Sequence, residues 1–227
     1  MTTPIYWRNI ALKAVTNLPK EDIVYAVFIA FLERHKPPAA QFITYPQLSL
    51  KWNPQSRHDK RVEVLDIGVG NFTLSNASPP FILRFGVKAK QSLSIMELLP
   101  PPASIITDLD VLQAFHGLSF QAKDQAKAAI KNGSVHSNTV QWIFLVGPYW
   151  TPVTFGPFTA AELTVRARKP SPSANWLETL HEGHRVQGNP PQLDKLFCLC
   201  DDASYERLEG IFASTDIDAQ PLIDALQ

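Results

Sequence analysis

An aspartate and a lysine carry the sharpest chemical signal in the chain. Asp66 lies in "VLDIGVGNF" and Lys88 in "FILRFGVKAK". Both stretches are rich in β-branched and aromatic residues, and "SNASPP" stands between them, so they read as two antiparallel strands joined by a turn. With the turn centred near Asn76, facing residues have numbers summing to about 152. Asp66 then falls across from Gly86, and Lys88 projects from the same face two residues further along.

Other residue patterns offer competing chemistry. The run "LDIGVG" also reads as a glycine loop at a strand end, in which the backbone approaches a cofactor. Asp66 equally reads as an ordinary strand-end acid satisfied by backbone N–H groups. "HEGH" (His181, His184) spaces its histidines three apart beside a glycine in a loop-like stretch, whereas a helical zinc site needs them four apart. Cys198 and Cys200 are the only cysteines; they would share one strand face, and no further thiol completes a soft-metal site. "VGPYWTPVTFGPF" is dense in aromatics and proline and reads as a rigid loop packed on the core, or as a stacking surface. No serine stands in a Gly-x-Ser-x-Gly turn.

The elements that must position these residues follow from the hydrophobic pattern. A helix is expected over residues 19–34, capped by Asn17 with acids in its first turn, apolar nearly all round and hence buried. "FITYPQLSLKW" suggests a short strand broken by Pro46. "QSLSIMELLPPP" reads as a short helix, and residues 118–133 as a long one stopped at "KNG". In that long helix Gln121 and Gln125 lie four apart on one face, together with Lys123 and Lys127. Taken as a plain amphipathic helix, this is its exposed side. "TVQWIFLV" is a strongly apolar strand and "ELTVRARK" alternates like an edge strand. After a proline-rich stretch come strand "KLFCLC" and helix "SYERLEGIFAS". The fold class is therefore α/β (α+β), a mixed central sheet flanked by helices. The core spans residues 1–168 and a loop and strand–helix extension spans 169–227.

Composition bounds the function. Hydrophobic residues make up 45% of the 227, enough for a substantial core. Lysine plus arginine equals aspartate plus glutamate at 21 each, so no long-range field steers the protein toward a polyanion. The N-terminus lacks a secretory pattern, and "IVYAVFIAFL" is about half the length of a membrane span. An intracellular protein without a membrane role is expected.

The order helix, three strands, helix, strand, with Asp66 on the second strand and Lys88 on the third, resembles the PD-(D/E)XK nuclease superfamily over roughly residues 19–150. The resemblance implies a restriction-endonuclease-like α-β-β-β-α-β core in which two acids hold Mg²⁺ and the lysine positions the attacking water. Gln121 and Gln125 match the helix on which some members place a glutamine near the active site. Where the family carries its second acid this chain has Gly86. Glu63 is an odd number of residues from Asp66 and faces away, so the expected replacement ligand is Glu21, or Glu33, on the first helix. The implied site is thus Asp66, Lys88, Gln121 and Gln125, with Asp66 and Glu21 as metal ligands and nucleic acid or a protein as partner. A non-catalytic descendant of the fold is the matching reading without metal. "VLDIGVG" also resembles the first motif of S-adenosylmethionine-dependent methyltransferases, which would require a helical crossover before Phe81.

Overall fold

The computed structural model describes residues 9–10, 13, 21–35, 42–52, 61–72, 81–165 and 196–216. Helix α1 (Glu21–His35) precedes strands β1 (Ile43–Pro46), β2 (Ser49–Lys51), β3 (Val62–Val64), β4 (Ile67–Phe72) and β5 (Phe81–Lys90). One turn of helix, α2 (Pro102–Ile105), leads into the long helix α3 (Leu109–Lys131). Strands β6 (Val140–Val146) and β7 (Tyr149–Phe155) follow, and β8 (Phe197–Cys198) and α4 (Asp202–Asp216) close the described chain.

Six strands form one sheet in the order β1-β4-β5-β6-β7-β8. Every neighbouring pair is antiparallel except β5 and β6, which run parallel. A parallel pair needs a crossover, and α3 supplies it. The sheet is covered on both faces. Phe85, Val87, Ala89, Ile143 and Leu145 pack with Phe28, Phe31 and Leu32 of α1 and Leu208 and Phe212 of α4. On the other face Trp142, Phe144 and Val146 meet Phe115, Leu118, Ala122, Ala126 and Ala129 of α3. The alanines recur at helical spacing, which lets the helix approach the sheet closely. The mixed α/β architecture with a C-terminal strand and helix agrees with the pattern of the sequence.

Strands β1 to β4 form one bent ribbon. β1 pairs with β4 as Ile43↔Gly70 to Pro46↔Ile67, and β2 pairs with β3 as Ser49↔Val64 to Lys51↔Val62. Both ladders keep the same register. The bend falls at Gln47, which has a positive φ of 52°, opposite Leu65 and Asp66. Gln47 N–H donates to the Asp66 carbonyl at 2.8 Å, and Leu65 N–H to the Leu48 carbonyl at 2.9 Å. Beyond that corner the ribbon leaves the sheet and lays Leu48, Leu50, Trp52 and Leu65 on the α3 side. Asp66 therefore stands at a corner, where the expected single strand over "VEVLDIGVGNF" breaks in two.

Several sequence expectations are corrected here. α3 begins at Leu109, earlier than expected, because Asp108 caps it: its carboxylate accepts from the N–H groups of Asp110 and Val111. "YWTPVTF" is a strand, not a loop, since Pro152 faces Ile143 without breaking the ladder. Residues Glu162–Thr164 make a 3-10 turn instead of opening an edge strand. The segment before the triple proline is likewise only a 3-10 turn, Ser94–Met96. The turn expected near Asn76 and the "HEGH" stretch lie outside the described residues. Among the described residues, no helix is long and apolar enough to cross a membrane.

Candidate functional site

Asp66 and Lys88 meet. The lysine Nζ donates to Asp66 Oδ1 at 2.6 Å, and the Ala89 backbone N–H donates to Asp66 Oδ2 at 2.9 Å. Both side chains are largely withdrawn from water, at 11% exposure for Lys88 and 12% for Asp66. The register explains the encounter. β4 and β5 pair as Ile67↔Val87 and Gly68↔Gly86. Continued by one residue, the ladder sets Asp66 level with Lys88. The expected pairing of Asp66 with Gly86 is therefore off by two residues, one of which is already present where Phe72 faces Phe81. The bulge between Val69 and Gly70 supplies the other and leaves Arg84 unopposed in the ladder, with its Nε on Asn71 Oδ1 at 3.2 Å.

The row one step into the sheet is filled by apolar side chains. Gly68, Gly86 and Trp142 are neighbours on three adjacent strands. A Cβ built on Gly86 would stand 2.4 Å from Trp142 Cζ2, and one on Gly68 would stand 2.7 Å from Leu48 Cδ2. The two glycines form a trough in which the indole of Trp142 and the isobutyl group of Leu48 lie. The glycine at position 86 is thus required by packing. A carboxylate there would need the volume that the indole occupies.

The glutamines of α3 separate. Gln125 is fully buried and its Nε2 donates to the Val64 carbonyl at 2.6 Å. Val64 lies just past the corner where the ribbon has left β5, so the helix supplies the donor that a sheet neighbour would otherwise provide. Gln125 Oε1 has no hydrogen-bond partner. Gln121, one turn earlier, is exposed and lines a cavity of about 470 Å³. Tyr25 and Ile29 of α1, Gln47, Asp66 and Lys88 form the other walls. The reading of this helix face as solvated holds for Gln121 only in part and fails for Gln125 and Lys127. Lys127 is buried, donates to the Val165 carbonyl at 2.7 Å, and has its pKa lowered chiefly by burial.

Replacing Gln125 by glutamate should therefore lower stability by about 2 kcal/mol, since a carboxylate would face a carbonyl oxygen in a buried site. A denaturant titration of Gln125→Glu checks this; unchanged stability would show that the contact is not structural.

Among the described residues, the remaining candidates supply no second metal ligand. Glu33 accepts from Thr44 Oγ1 on the exposed surface and is not among the cavity walls. Glu63 is buried on β3, outside the cavity lining. Glu21 opens α1, and its side chain lies outside the described residues. The described donor set near Asp66 does not fit a magnesium ion: no other carboxylate lines the described cavity, and the Lys88 ammonium stands against the one that does. β4 and β5 pair antiparallel, whereas the cofactor loop of methyltransferases joins parallel strands. The signal that sequence reading missed is Trp142, whose role depends on a parallel neighbour far along the chain.

Among the described residues, the one group of three or more potential ligands close enough to share a metal is Cys198, Cys200 and Asp201. No family model, curated protein or solved structure matches the chain.

Proposed function

We propose that this protein is a PD-(D/E)XK-like domain that acts as a non-catalytic interaction module. The observation that carries the reading is the Trp142 indole lying where a side chain at position 86 would stand. A metal-dependent phosphodiesterase of this type needs two carboxylates around its cation. Here one position is closed by an aromatic ring. The remaining acid is neutralised by Lys88, so the pair that would do chemistry serves to fix the corner between β3 and β4. The element order from α1 to β6, with the β2–β3 insertion folded aside, supports descent from that scaffold.

A second reading draws on the cavity beside Asp66, which is open enough for a ligand and has Gln121 on its wall. In that reading the protein is a nuclease whose second acid comes from elsewhere, and Lys88 releases Asp66 when a cation arrives. One experiment separates the two. The purified protein is incubated with Mg²⁺ or Mn²⁺ and mixed DNA and RNA, alongside Asp66→Asn. No cleavage and no calorimetric heat from either cation is the expected result. Wild-type cleavage that disappears in Asp66→Asn would replace the interaction module by the nuclease.

A further inference from the structure

The C-terminal strand ends in a cluster that the Asp66 site does not use. β8 is held to β7 through Tyr149↔Cys198 and Trp150↔Phe197. The chain then turns at once. Leu199 N–H donates to the Pro148 carbonyl at 3.0 Å, and Asp201 N–H to the Cys198 carbonyl at 3.0 Å. Residues two apart on a continuous strand stand roughly 6.6 Å apart along it. The turn shortens that spacing and brings the sulfurs of Cys198 and Cys200 to 2.6 Å. Asp201 Oδ1 lies 4.0 Å from Cys200 Sγ, and the three ligand atoms all fall within 4.8 Å of one another. Cys198 is buried while Cys200 and Asp201 are half-buried, so the cluster has a protein wall on one side and an approach on the other.

Helix α4 starts at Asp202, directly after the cluster. Two sulfurs and one carboxylate are a donor set for a borderline-soft cation, not for magnesium or calcium.

We propose that Cys198, Cys200 and Asp201 bind a thiophilic d10 cation of the zinc class, with water as the fourth ligand. On binding, both S–H bonds break, two metal–sulfur bonds form and two protons pass to solvent. Sulfurs on one tetrahedral zinc stand about 3.8 Å apart, so the pair opens by about 1 Å. The half-exposed Cys200 takes up that movement. The ion would join the turn after β8 to the first residues of α4.

The test uses the whole chain, reduced and stripped with chelator, then titrated with Cd²⁺ and challenged with Zn²⁺. One cadmium per chain with thiolate-to-metal absorption is expected, displaced by zinc. Cys200→Ser should weaken binding by about a hundredfold and Asp201→Asn by about tenfold. The proposal is overturned if the reduced chain shows no thiolate absorption, or if Cys200→Ser, verified as folded, binds as wild type. It is also overturned if the untreated chain has lost two hydrogens by mass and takes up no metal after reduction, which would make the pair a disulfide couple.

Discussion

Placing a carboxylate at position 86 is expected to destabilise the protein by about 3 kcal/mol or more and to create no metal site. The physical reason is the trough described above. Gly86 faces Gly68 on one side and Trp142 on the other, and an added Cβ would stand 2.4 Å from the indole. Trp142 is itself fully buried against Phe155 and the α3 face, so it has no room to swing aside. Gly86→Ala alone should lower stability by about 2 kcal/mol through this overlap, and Gly86→Glu adds the burial of a carboxylate. Trp142→Ala should cost about 3–5 kcal/mol by leaving a large void. The two changes remove each other's fault, so Gly86→Glu/Trp142→Ala should be more stable than the sum of the single losses. Denaturant midpoints of the four proteins measure it. A Gly86→Glu protein as stable as wild type, and newly able to bind Mg²⁺, would count against the packing role of Gly86 and for the nuclease reading.

The second large effect concerns the ion pair at the corner. Asp66→Ala is expected to lower stability by about 3 kcal/mol, because it strands the Lys88 ammonium and the Ala89 N–H in a poorly hydrated place. Lys88→Met should cost less, about 1–2 kcal/mol, since Asp66 keeps its backbone donor. The pair Asp66→Ala/Lys88→Met should lose less than the two single losses combined. That double-mutant cycle isolates a coupling of about 2 kcal/mol if the groups act as a structural clasp. If instead Asp66→Ala raises stability, the acid has been kept at a thermodynamic disadvantage, as catalytic groups often are. Such a result would favour the nuclease reading over the interaction module.

How much of this was legible in the sequence differs by distance along the chain. The pairing of "VLDIGVGNF" with "FILRFGVKAK" followed from composition and a turn signal, since strands close in sequence usually pair. That Asp66 and Lys88 share a face followed as well, because a two-residue slip preserves the side on which each side chain lies, but their direct pairing did not. A one-residue slip would have sent them to opposite sides. The role of Gln125 was not legible. Its i, i+4 relation to Gln121 is a statement about one helix, whereas its partner, the Val64 carbonyl, becomes free only because the ribbon bends away from β5. The start of α3 was missed for a local reason. "ITDLD" holds its cap at Asp108, and Val111, Ala114, Phe115 and Leu118 recur at helical spacing, but Gly117 in their midst reads as a break.

By itself, the sequence determined the class of fold, the two long helices, the strand pair that carries Asp66 and Lys88, and the C-terminal strand–helix unit. These rest on short-range periodicity and capping, which every residue reports through its neighbours. Only the tertiary structure decided that Gly86 is a seat for Trp142, that Asp66 is held by Lys88 and Ala89, and that Cys198 and Cys200 converge in a turn beside Asp201. The first two depend on strand order and register, and the third on a hydrogen-bonded turn at the edge of the sheet. Local pattern does not encode such juxtapositions, because sheet order is set by the sum of many weak contacts between segments far apart in the chain.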